Sequence, residues 1–322
     1  MQVSKKESKV EQQFTVEKIW SQAKHNAFTD LIRFRSAWFC AFRESSGHIA
    51  ADGHVRIIRS VDGANWLSAA VVPCPPPLQD LRDPKLSVTP DGHLMLTAAA
   101  FRPLCQTFSF FSDDGVTWSA GNRIGPSGIW LWRTVWHQGY TYNFGRSELE
   151  HDRFLQLYRS ADGIDFEAHG PRQFDGVYAN ETAPIFLQDD TCLTLLRRDS
   201  DLSTAQLGSS SPPYDDWTWR DLGVQIGGPA LIELPDGRLL AVVRLYDEPR
   251  RTAVCWLDAE AATLTEFLTL PSRGDTSYAG LVLHEDMLWI SYYSSDGAID
   301  DREQTERTSI YLARMKVSLM CQ

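Results

Sequence analysis

The chain is written in short runs of apolar residues broken by clusters of Gly, Asp, Asn and Pro. Phe14-Thr-Val-Glu-Lys-Ile-Trp20 and Ser309-Ile-Tyr-Leu-Ala-Arg-Met-Lys-Val317 alternate with the two-residue period of a half-buried strand. Leu239-Leu-Ala-Val-Val243 and Met287-Leu-Trp-Ile-Ser-Tyr-Tyr293 are apolar almost throughout, as strands shielded on both faces are. Long amphipathic helical runs are missing, and Asp258 to Phe267 comes nearest to one. The pattern predicts an all-β protein.

The runs repeat. Strand pairs start near Leu31, Leu86, Val135, Ile185, Leu231 and Leu281, at intervals of 55, 49, 50, 46 and 50 residues. Six units of about fifty residues predict a six-bladed β-propeller of four-stranded antiparallel blades. The strand from Phe14 is expected to complete the last blade, so that no edge is left open. Residues 1–13 are expected to form a flexible N-terminal segment and residues 14–322 a single domain.

A second repeat is spelled in the turns. Ser60-Val-Asp62-Gly63-Ala-Asn-Trp66 returns as Ser112-Asp-Asp114-Gly115-Val-Thr-Trp118 and as Ser160-Ala-Asp162-Gly163-Ile-Asp-Phe166, 52 and 48 residues apart. The Asp can hydrogen-bond its own backbone, Gly takes positive φ, and the aromatic tucks under the turn. Asp62, Asp114 and Asp162 are therefore expected to be structural. The motif resembles the Asp-box of sialidase-like propellers.

Charge and composition then narrow the function. A net charge of −11 argues against the broad basic field that nucleic acid requires. No run reaches the roughly 18 apolar residues of a membrane span. Met1 to Gln13 lacks the apolar run of a secretory signal, so a cytoplasmic protein is expected. The six cysteines are scattered without a C-x-x-C pair, and Cys40 and Cys255 sit in apolar runs that favour buried thiols. No metal or cofactor is required by the sequence.

Against that acidic background, the second strands end in arginine: Arg43, Arg102, Arg146, Arg197/Arg198 and Arg244. Propeller symmetry is expected to bring these ends, at equivalent positions, around one mouth of the channel. Two readings compete. The arginines either pair with Glu44, Asp83, Glu148, Glu181 and Asp199 in a structural ring, or some stay free to grip a carboxylate bidentately.

The resemblance to sialidases gives these residues roles. Asn180-Glu181-Thr-Ala-Pro-Ile-Phe-Leu, followed by Leu195-Leu-Arg197-Arg198-Asp199, resembles the stretch that carries the family's paired Glu and second arginine, with Arg198 the better fit. Ser277-Tyr278-Ala-Gly-Leu281 resembles its tyrosine motif, which makes Tyr278 the nucleophile. Arg250 or Arg251 resembles the third arginine, with Arg244 as rival. The family's opening arginine motif is replaced by His25-Asn-Ala-Phe28-Thr-Asp30, leaving Arg43 or Arg82 to substitute. Counting back from the first turn motif, the acid/base position falls on His48, with Asp83 and then His25 as alternatives. Neighbouring guanidiniums are expected to favour the phenolate of Tyr278, and Glu181 to take its proton.

The resemblance implies a glycoside hydrolase of the exo-sialidase type, acting on a terminal acidic sugar. The alternatives are a uronic-acid glycosidase or lyase using His48, and a non-catalytic propeller that binds acidic glycans or a protein. The expected partner is an acidic carbohydrate, not nucleic acid or a membrane.

Overall fold

The computed structural model describes residues 14–102, 104–200, 203–296 and 307–319; the N-terminal segment 1–13 lies outside them. The described strands form six four-stranded antiparallel sheets. Their first strands are His25–Phe34, Gln79–Val88, Ile129–His137, Ala179–Phe186, Ile226–Glu233 and Thr276–His284. Each of these touches its two neighbours, and the last touches the first, so they line the channel of a six-bladed propeller. The ring is closed as the alternation predicts: Phe14–Trp20 pairs with Thr308–Lys316 as the outermost strand of blade 6.

The apolar runs bury themselves between blades. Phe39, Leu86, Leu94, Leu96, Phe108 and Phe110 fuse blades 1 and 2, while Leu240, Val242, Val254, Leu288, Ile290 and Tyr292 fuse blades 5 and 6. Each large side chain removed from water contributes about 1.5–3 kcal/mol, so the seams hold the ring and leave its mouth free for polar groups. The described cysteines are free thiols, and Cys321 lies outside the described residues.

The repeated turns join third to fourth strands, at the end of each blade away from the mouth. Asp62 Oδ1 accepts from the amides of Ala64 and Asn65 at 2.9 and 2.8 Å, and Asp114 and Asp162 do the same. Gly63, Gly115 and Gly163 have φ of +73° to +74°. A Cβ on them would crowd Trp289, Phe39 and Met95, each on the preceding blade. These aspartates hold turns and seams.

One irregularity shapes the mouth. In every blade the first strand skips two residues in its pairing with the second: between Ala27 and Asp30, Arg82 and Lys85, Leu131 and Thr134, Ala179 and Thr182, Gly227 and Ala230, and Ser277 and Gly280. Such bulges re-aim side chains that a regular strand would send into the sheet. The residues freed first are Phe28, Asp83, Trp132, Asn180, Gly228 and Tyr278. Phe28, Asp83, Gly228 and Tyr278 take positive φ of 54° to 61°.

The register corrects the expectation that the arginines are equivalent. The row facing the residue before each bulge holds Arg43, Ala99, Gly145, Arg198, Arg244 and Tyr293. Arg197, Arg146 and Arg102 fall one or more residues off that row. Side chains alternate between faces along a strand, so a one-residue offset changes what an arginine meets.

Candidate active site

Tyr278 and Glu181, 97 residues apart in sequence, meet at the mouth: the Tyr278 hydroxyl donates to Glu181 Oε1. Arg197 Nη1 donates to the same oxygen at 2.8 Å and to Tyr278 Oη at 3.1 Å. Glu181 Oε2 accepts from the backbone N–H of Gly228 at 2.7 Å. Three bulges thus assemble one cluster: blade 6 gives the phenol, blade 4 the carboxylate, and blade 5 a bare backbone. A Cβ at Gly228 would lie 2.7 Å from Tyr278 Cδ2, so this position must be glycine for the ring to sit there.

The electrostatics fix the resting proton. Burial pushes Glu181 up, but Arg197, the Tyr278 hydroxyl and the Gly228 amide outweigh it and hold the carboxyl below its usual range. Burial and then Glu181 raise Tyr278 well above an ordinary phenol, against the pull of Arg197 and Arg244. The expectation that guanidiniums favour phenolate is therefore corrected. Desolvation wins, and the proton stays on oxygen.

Around this pair stand two more arginines. Arg244 lies over the Tyr278 ring at 5.4 Å and donates to Asp275 Oδ1 at 3.1 Å and Tyr293 Oη at 3.0 Å. Arg250 is exposed and lies over Tyr246 at 5.3 Å. The same ring sits 5.8 Å from Arg197 and 5.9 Å from Arg244. Arg197 Nη2 and Arg244 Nη1 make no hydrogen bond among the described residues.

Other sequence candidates end elsewhere. Arg198 turns away from Tyr278 to Thr204 and Asp221, and its neighbour Arg197 takes the place beside the phenol. Arg251 is tied to Glu266 on the outermost strand of blade 5 and to Asp247 in the loop before its own strand. Arg43 is completely buried and spends its donors on Asp80, Gly47 O, Ala50 O and His25, so it cannot touch a ligand. Arg82 lies between Asp80 and Asp83, 4.9 Å over Phe28, and donates to His48 O. Arg102 is exposed beyond its strand. Glu44 pairs with Arg56 and His54 rather than with an arginine of the mouth.

The acid/base candidates lie across the mouth. Asp83 is buried on its bulge, and burial raises its carboxyl despite Arg82 and Lys85. Lys85, deeper in the channel, is pushed down to about 8 by burial. His48 Nδ1 lies 2.6 Å from Asp275 Oδ2, and His25 Nε2 lies 3.0 Å from the same oxygen. Phe28 packs edge-on against both His48 and Tyr278, at 5.4 and 5.0 Å.

His25, His48 and Asp275 each offer a donor atom within 4.8 Å of the others, a spacing that suits a metal. A cation there would share the mouth with Arg43, 3.4 Å from His25 Nδ1, and with Arg244. It would also displace the protons that bind the rings to Asp275. The hydrogen-bonded arrangement fits these residues better than a metal does.

Fold and mouth together define a class, the six-bladed propellers with a polar site at one end of the channel. No family model matches the sequence, and no curated protein matches it either. Solved structures are similar in fold at low identity. A Dyadobacter fermentans protein of unknown function superposes with a TM-score of 0.75 at 17% identity, over 94% of this chain and 99% of that one. Trypanosoma rangeli sialidase, solved with 2,3-difluorosialic acid as a covalent intermediate, gives 0.73 at 12%, over 95% of this chain and 60% of that one. A mutant α-L-arabinofuranosidase from Fusarium graminearum gives 0.72 at 11%, over 95% and 99%.

Sequence reasoning missed Asp275 as a hub, along with Tyr293, Tyr246 and the role of Gly228. A signal for Gly228 was present. Phe28, Asp83, Trp132, Gly228 and Tyr278 each stand three residues before one of the apolar positions that mark the fifty-residue period, Leu31, Leu86, Val135, Leu231 and Leu281.

Proposed function

We propose that this propeller is a glycoside hydrolase of the exo-sialidase type. It releases a terminal acidic sugar, a sialic or related ulosonic acid, with retention. The observation that carries the proposal is the buried Tyr278–Glu181–Arg197 cluster, in which a neutral phenol donates to a carboxylate. A neutral nucleophile suits a sugar whose reacting carbon bears a carboxylate, because an anion would be repelled. The unengaged nitrogens of Arg197 and Arg244, with Arg250 at the rim, are the grip for that carboxylate.

In the reaction, Tyr278 Oη attacks the anomeric carbon while its proton passes to Glu181 Oε1. The glycosidic C–O bond breaks through an oxocarbenium-like transition state, and His48, entering as the imidazolium, gives its Nε2 proton to the departing oxygen. Water, deprotonated by His48, then displaces the tyrosine, which recovers its proton from Glu181. Asp83, whose carboxyl is raised by burial, is the rival acid. The resemblance in fold to a sialidase that forms a covalent intermediate with 2,3-difluorosialic acid agrees with this route.

A panel of fluorogenic acidic glycosides tests the reading. Wild type turns over at least one, and Tyr278→Phe lowers kcat by about 10³-fold or more while still binding the sugar. Unchanged turnover in Tyr278→Phe would remove the nucleophile. Binding without turnover in wild type would leave an acidic-glycan-binding propeller.

One observation favours a second reading, elimination from a uronic acid. Tyr278 is held protonated as an acid would be, and His48, held by Nδ1 on Asp275, is half exposed with no hydrogen bond on Nε2 among the described residues. A product absorbing in the ultraviolet would select it.

A further inference from the structure

We infer that Asp275 and His48 form a catalytic dyad in which Asp275 is the positioning residue. It fixes the proton of His48 on Nδ1, so that Nε2 alone faces the substrate.

The inference rests on how Asp275 is occupied. Its Oδ1 accepts from Arg244 Nη2 at 3.1 Å and from Tyr293 Oη at 2.6 Å. Its Oδ2 accepts from His25 Nε2 at 3.0 Å and from His48 Nδ1 at 2.6 Å. Its backbone is pinned as well, with N and O both bonded to Ser295. Four side-chain donors on one carboxylate favour its ionised form, and Asp275 is held well below the usual range although burial opposes it. An ionised carboxylate offers no proton, so each imidazole must supply the hydrogen between itself and Oδ2.

That requirement settles both tautomers. His25 donates from Nε2 and turns Nδ1 to the guanidinium of Arg43, at 3.4 Å. Burial keeps it neutral. It is a wedge, nearly without exposure, that fixes the angle of the carboxylate. His48 donates from Nδ1 and is half exposed, which leaves Nε2 for chemistry. The charged and titratable groups that meet His48 are Asp275 and His25 on its ring and Arg82 on its backbone oxygen.

This goes beyond the proposed reaction in assigning how His48 is prepared for it, and in its use of His48 it rests on that reading. A ring held by Nδ1–H can give and take the same Nε2 proton through both halves of a retaining cycle without rotating. The ring is an imidazolium before the first half and after the second, neutral between them, and the carboxylate compensates its charged form.

Nitrogen-15 NMR of the imidazoles in the full-length protein tests the dyad without any substrate. In wild type, neutral His48 is expected to carry its proton on Nδ1. In Asp275→Asn, the amide oxygen is drawn to Arg244 and Tyr293, its NH₂ faces the histidines, and the His48 proton moves to Nε2. Tyr293→Phe removes a different donor from Asp275 and leaves the tautomer as it was. With the substrate found above, Asp275→Asn lowers kcat by about 10²-fold or more. An Nε2–H tautomer in wild type would overturn the dyad whatever the activity. If Asp275→Asn does not fold, His25→Gln, which leaves Asp275 intact, must retain the Nδ1–H form of His48 or the assignment fails. The expected tautomers without turnover of any acidic glycoside would keep the dyad and sink the hydrolase.

Discussion

Two arginines of the same register row, Arg43 in blade 1 and Arg244 in blade 5, make the same reach to the next blade. Arg43 Nε bonds Asp80 at 2.5 Å, and Arg244 Nη2 bonds Asp275 at 3.1 Å. Asp80 and Asp275 both stand three residues before the first residue freed at a bulge, Asp83 and Tyr278. Their surroundings differ. The loop 46–53 closes over Arg43 with two carbonyls, and Gly53 packs so tightly that a Cβ would overlap Asp80 and Arg43. Among the described residues no such loop covers Arg244; Tyr278 and Tyr293 lie against it, and two histidines meet its partner Asp275. One inter-blade contact is thus a rivet in the first place and part of a site in the second. Position in a symmetric fold supplies the reach of a side chain, and what covers it decides the use.

The comparison is broken most severely by removing each arginine in turn. Arg43→Met leaves the buried Asp80 with Arg82 alone, 3.7 Å away, and is expected to cost about 3–5 kcal/mol of stability in chemical denaturation. Arg244→Met leaves Asp275 with three donors, so its unfolding midpoint moves far less, while affinity for an acidic monosaccharide falls about 100-fold in calorimetry. Equal stability losses in the two variants would erase the distinction between rivet and site. Gly228→Ala is expected to lower kcat by about 10²-fold, because its methyl displaces the Tyr278 ring, with the overall fold kept.

How much of this was legible follows from the same contrast. Strand alternation, the fifty-residue period and the closing strand at Phe14 depend on local apolar patterning, which a sequence displays directly. The pairing of Glu181 with Tyr278 followed from the resemblance of their two motifs to those of sialidases, and counting blade ends placed them at one mouth. The choice between Arg197 and Arg198 did not, because the bulge at Asn180-Glu181 shifts the register and leaves no apolar signature. Asp275 was hidden for another reason: its four partners come from blades 1, 5 and 6, and no spacing rule joins them. Arg43 read as a ligand because the loop that buries it has an ordinary polar composition.

The smallest effect sharpens the comparison through pH. His25 is held neutral below its ordinary pKa, so it binds protons more readily unfolded than folded. Its contribution is complete above about 6.5 and is lost as pH falls from there. Asp275 and Glu181 are lowered as well, so theirs is complete above about 4 and is lost at more acid pH. Denaturant midpoints should therefore fall in two separate stages on acidification. His25→Gln should remove the first stage and leave the second.

The central claim, that the Tyr278–Glu181 pair is the reacting centre of a carboxylate-gripping mouth, is tested most directly by a crystal structure of Tyr278→Phe with a bound acidic monosaccharide. The account predicts the sugar's carboxylate within hydrogen-bonding distance of Arg197 and Arg244, and its anomeric carbon over the position of the missing hydroxyl. A carboxylate held elsewhere, or an anomeric carbon turned away from residue 278, would contradict it.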